Sequence, residues 1–321
     1  MWKQHRPPND DFILNLSQHF ASISNETPGS FPLFLNQNVW LASDYSGGRG
    51  ASDFFVASLL LIDFDLRDLW DDARRQAREE HLKDNRRLSF KALGDRRRAS
   101  SLSDFLDAAN DLSGILISFG VHKKLKPLFT VPGDLDWAKE TLGLRARWKP
   151  KTFEHLMRLT TFVTFVCGGL VQDHQDIMWV TDDDDFTGKH DRMVDVTNVL
   201  RFLRSINQPS HHGEALFQAV SATPNEKHQM MFEDLCSIPD LAAGALSELW
   251  TKVSRDVDLN VSAEPIELDV SEVSEKSRRI YEWHMLRNTR LKRLLCLLTP
   301  DPDPSISFRV LTPGPPPVPT S

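Results

Sequence analysis

The stretch VWLASDYSGGRGASDFFVASLLLI, residues 39 to 62, holds two apolar runs separated by a segment of Gly, Ser and Asp. A glycine-bearing connection between β-rich runs favours a hairpin, so VWLAS and FFVASLLLI read as the first two strands. The first run drops onto Asp44, followed by Tyr45, Ser46, Gly47 and Gly48. Those residues suit a chain leaving a sheet. An aspartate at the mouth of a sheet can also bind a metal ion, and Asp44 alone leaves both readings open.

Working outward, Leu66, Leu69, Trp70, Ala73 and Ala77 recur at helical spacing and predict an amphipathic helix over 66–82. In RLSFKAL, Leu88, Phe90 and Ala92 alternate with Ser89 and Lys91, which predicts a third strand. A helix over 102–112 precedes GILISFGV, residues 114–121, a strand buried on both faces. A long helix from Phe153 to Val171 leads to the strand Ile177 to Thr181, which runs into Asp182-Asp183-Asp184-Asp185, and a helix over 191–206 follows. Pro239 and Asp240 read as the first turn of another helix. A basic amphipathic helix over 278–298 and a strand at SISFRVL close the ordered chain, and TPGPPPVPTS is expected to be extended and disordered.

The fold class expected is α/β, a mixed five-stranded sheet flanked by helices. The divisions are an irregular arm at 1–37, a main domain at 38–255, a helix-strand appendage at 256–311 and a tail at 312–321.

The formal net charge of -7 argues against coating nucleic acid through a global positive field, and leaves a local basic groove open. Cys167, Cys236 and Cys296 show no CxxC spacing, which points to a reduced, cytoplasmic protein without zinc. The first residues lack the apolar core of a secretory signal. The apolar segment 159–171 falls short of the roughly 20 residues that span a bilayer, so no membrane partner is expected.

Asp44, the 182–185 run and Asp240 each sit at a predicted element boundary. Hard oxygen ligands converging from different elements suit Mg²⁺ or Mn²⁺, and two such ions about 3.5 to 4 Å apart can clamp the attacking and leaving oxygens of a phosphodiester. The order of Asp44-Tyr45-Ser46-Gly47, Leu88-Ser89-Phe90-Lys91, Val121-His122-Lys123, Thr181-Asp182-Asp183-Asp184 and Ile238-Pro239-Asp240-Leu241 resembles a family of largely uncharacterised prokaryotic proteins with a ribonuclease-H-like fold and an Asp-Glu-Ser-Gly opening motif. The resemblance implies a metal-dependent nuclease in which Asp44, Asp182 or Asp184, and Asp240 hold Mg²⁺ or Mn²⁺ and Lys91 steadies the scissile phosphate. Two positions depart from it: Tyr45 stands where the family carries glutamate, and Ser89 where many relatives carry an acid.

Basic clusters at Arg86-Arg87, Arg96-Arg97-Arg98, His122-Lys123-Lys124 and 145–151 could grip RNA or DNA. His211-His212 is a further metal or acid/base candidate. Two other readings stand beside the nuclease. LLLIDFDL resembles the start of a haloacid-dehalogenase-type phosphatase, with Asp63 as nucleophile, Asp65 beside it and Ser118 in a later motif. The ribonuclease-H-like scaffold could instead be a non-catalytic interaction module, with the C-terminal helix and tail contacting a protein partner.

Overall fold

The computed structural model describes residues 1–4, 11–48, 52–125, 133–182, 186, 190–208, 213–220, 230–256, 270–300 and 306–311. Seven strands form one sheet: β1 (Asn38–Ser46), β2 (Phe54–Asp63), β3 (Gly114–His122), β4 (Asp176–Asp182), β5 (Ala215–Val220), β6 (Leu291–Pro300) and β7 (Ile306–Leu311). The helices are α1 (Asp11–Glu26), α2 (Asp68–His81), α3 (Arg96–Ala109), α4 (Asp134–Thr141), α5 (Pro150–Leu170), α6 (His190–Asn207), α7 (Met231–Asp256) and α8 (Glu275–His284).

The order across the sheet is β5-β4-β1-β2-β3-β6-β7. β2 runs antiparallel to both β1 and β3, β7 antiparallel to β6, and the other neighbours are parallel. Residues of β1 to β3 therefore alternate between two covered faces. Val39, Leu41, Phe55 and Ile117 pack with α1, α5 and α6, whereas Ala42, Leu60 and Leu116 pack with α2, α3, α7 and α8. The result is a three-layer α/β/α domain, and β2 is buried at all ten positions because helices cover it on both sides.

Several expectations shift. RLSFKAL is not a strand, because β1 and β3 occupy both edges of β2 and leave none for it. Its alternation is satisfied against α7 instead. Ser237 Oγ donates to the Leu88 carbonyl at 2.6 Å, and a 3-10 turn over Phe90–Gly94 follows. Two strands are not foreseen from the sequence, β5, a run of six residues, and β6. The helix foreseen over 278–298 stops at His284, Asn288 turns the chain with φ 61°, and the apolar run 294–298 enters the sheet as β6. β6 and β7 extend the sheet beyond β3, giving seven strands among the described residues rather than five. The segment read as an irregular arm carries α1, whose Ile13, Leu16 and Phe20 are buried at helical spacing. Residues 257–269 and 312–321 lie outside the described residues.

Pro239 does not open a helix; it sits inside α7. An interior proline forfeits one backbone hydrogen bond, a cost of about 3 kcal/mol. Here Leu235, Ile238, Leu241, Ala242, Ala245 and Leu246 are all buried, and that packing outweighs it.

Candidate active site

Asp44 lies within β1 rather than after it, pairing with Ser58 of β2. On the other side, the parallel ladder to β4 ends at Ser43 opposite Thr181. Asp44 and Asp182 therefore flank each other just past the last rung. They share a face with Ala42 and Val180, which pack toward α7. This is the carboxyl end of adjacent parallel strands, where open α/β sheets bind ligands.

Asp240 reaches the same place from the middle of α7. Its Oδ2 accepts from the Phe90 backbone N–H at 2.5 Å, and Phe90 rests on Gly244, one helical turn further on. A Cβ at Gly244 would stand 2.3 Å from the Phe90 ring, so this helix face accepts nothing larger there. Lys276 of α8 fastens the same segment, donating to the Phe90 carbonyl at 3.1 Å with its ammonium 3.9 Å from the ring centre. The chain leaves β1 through Gly47, whose φ of 77° and 1.9 Å approach of a notional Cβ to the Phe54 carbonyl exclude a side chain.

Asp44, Asp182, Asp240 and Lys91 line one open cleft of about 870 Å³, together with Arg87, Ser89, Lys149, Lys151 and His155. Four of the five residues singled out in the sequence thus meet. The fifth, Asp184, lies outside the described residues, as do His211 and His212.

Burial raises the Asp44 carboxyl well above the usual range, and the charge of Asp240 adds to it, against the Tyr45 N–H that donates to Asp44 at 2.6 Å. Burial raises Asp240 too, opposed by the Phe90 N–H and by its contact with Asp44. These two carboxyls touch, and Asp182 turns to Arg87, whose Nη1 donates to its Oδ1 at 2.6 Å. Burial alone would lower the Arg87 guanidinium, but Asp182 holds it above its ordinary value. His155, stacked on Phe55 at 4.7 Å, is pushed down to about 4 by burial and then by Lys151.

Tyr45 turns to the other face of the sheet, its ring centre 4.9 Å from that of Phe186. Sequence reasoning missed Arg87 as a partner of Asp182, and His155. The signal for Arg87 was its place two residues before Ser89 in a segment already assigned to the site.

The basic clusters divide in use. Arg86 pairs with Asp84 and Asp95, Arg98 holds the Arg87 carbonyl, and Lys123 binds the Ser52 carbonyl, whereas Lys149 and Lys151 are exposed on the cleft. The phosphatase residues are not gathered. Asp63 pairs with Val39, about 17 Å along the strand from Asp44, and accepts from Asn36 Nδ2 at 2.9 Å, while Ser118 bonds Ser58 inside the sheet.

A separate group, Glu80, His81 and Asp104 on α2 and α3, brings three potential metal-ligand atoms within 4.8 Å of one another. His81 Nε2 already meets Asp104 there at 2.8 Å. Among the described residues no helix is long and apolar enough to cross a membrane. In comparisons with family models, curated proteins and solved structures, nothing matches this chain.

Proposed function

We propose that the chain hydrolyses phosphodiester bonds of nucleic acid with a ribonuclease-H-like carboxylate site holding Mg²⁺ or Mn²⁺. The observation that carries this reading is the convergence of Asp44, Asp182 and Asp240 in one cleft, from the first strand, the parallel strand beside it and a late helix. Those are the three places the resemblance allots to metal ligands.

The donor chemistry fits a hard divalent ion. Asp44 and Asp240 offer carboxylate oxygens in mutual contact, and their burial makes an unneutralised pair costly. A divalent ion held there supplies Lewis acidity toward a phosphate. The chain's own residues do the rest of the positioning. Lys91, Lys149 and Lys151 bring positive charge to the cleft wall, where a negatively charged backbone gains most, despite the acidic total. Tyr45 and Phe90 fix the two carboxylates through backbone N–H groups.

One observation favours a second reading, a binding module that does not cut: Asp182 is already neutralised by Arg87. A single assay separates the two. The protein and its Asp240→Asn variant are incubated with single-stranded and duplex RNA and DNA and Mn²⁺. Metal-dependent nicking, lost by at least a hundredfold in the variant, is the expected result. Retention of nucleic acid without nicking would favour the binding module, and neither cutting nor binding would refute both.

A further inference from the structure

We propose that the Arg87 guanidinium takes the place of a second divalent cation, so that the cleft binds one metal ion, between Asp44 and Asp240. The inference rests on the metal-site reading above.

The starting point is how the three carboxylates are divided. Asp44 and Asp240 face each other, and among the described residues no basic group is hydrogen-bonded to either. Asp182 is bonded to Arg87. The less exposed charges agree with this division. Arg87 and one divalent ion balance the three carboxylates, whereas two ions beside Arg87 would leave an excess of two positive charges, to which the exposed Lys91, Lys149 and Lys151 on the cleft wall would add.

Arg87 is built into the wall rather than attached to it. Its side chain is 22 % exposed, its carbonyl accepts from Arg98 Nε at 2.8 Å, and the next residue, Leu88, is fully buried against α7. Its Nε is buried without a hydrogen-bond acceptor among the described residues. The guanidinium meets Asp182 through Nη1, and the residue lines the cleft. A fixed planar cation of this kind suits a phosphate oxygen as well as a carboxylate.

Counting Mn²⁺ bound to the full chain, by paramagnetic resonance of the free ion, tests the proposal. One ion per wild-type chain is expected, with binding at least tenfold weaker in Asp44→Asn. Arg87→Gln, which takes the guanidinium away from Asp182, is expected to bind two, and Arg87→Lys, which keeps the charge, one. Two ions on the wild type, or a single ion on folded Arg87→Gln, would overturn the role of Arg87 and leave the metal reading standing. No ion on either protein would overturn both. The wild-type count discriminates by itself should Arg87→Gln not fold.

Discussion

Replacing Asp44 by Asn should remove the proposed metal site and make the protein more stable. Asp44 is 9 % exposed and its carboxyl touches that of Asp240. Two like charges about 4 Å apart repel by about 4 kcal/mol at an effective dielectric of about 20. The backbone donors of Tyr45 and Phe90 and the Arg87 charge offset part of this, leaving a net gain of about 1–3 kcal/mol on neutralising one partner. Asparagine keeps the volume, the acceptor for the Tyr45 N–H and a donor for Asp240.

The pH dependence fixes the cause. A carboxyl raised in the folded state binds its proton more tightly there than in the unfolded chain. Wild-type stability is therefore lost as pH climbs from about 3.9 through the raised value. The advantage of Asp44→Asn should vanish near pH 4 and grow as pH rises through the raised value, reaching a rise in Tm of about 2–6 °C in the presence of chelator. An equal gain at both pH values, or a loss at neutral pH, would refute the buried-charge argument.

Two other outcomes concern the frame of the cleft. Asp234 is fully buried and binds both Arg74, at 3.1 Å, and Arg78 through its two oxygens, so Asp234→Ala takes a carboxylate from each of two buried cations, Arg74 keeping Asp71, and should cost about 3–5 kcal/mol in urea unfolding. The His155 ring should titrate near pH 4 in nuclear magnetic resonance spectra, neutral at physiological pH. A midpoint near 6.5 would mean that the ring is not seated between Phe55 and Gly48.

Much of the central sheet was legible because its signals are local. The β1–β2 hairpin declares itself through two apolar runs and a glycine-bearing link, and β3 through an apolar run without polar interruption. What was misread depends on neighbours far away in sequence. RLSFKAL alternates as a strand would, but edge availability in the sheet decides whether alternation becomes pairing. Pro239 carries a helix-start signal, yet the buried residues before it extend α7 upstream. The candidate cleft was legible only as aspartates at predicted element boundaries, although Asp44 lies within β1 and Asp240 inside α7. The pairing of Asp182 with Arg87 was not, since it joins residues 95 positions apart through a segment misread as strand.

The fastening of Phe90 has a mechanical consequence. Asp240 holds its backbone N–H, Gly244 seats its ring, and Lys276 binds its carbonyl, so α7, α8 and the 87–91 segment are riveted into a single wall that carries Arg87 and Lys91. Swinging that wall outward would break the hydrogen bonds that Asp240 and Lys276 make to the Phe90 backbone. Lys149, Lys151 and His155 belong to the opposite jaw, on and beside the first turns of α5, and any widening to admit a bulky polymer falls to that side.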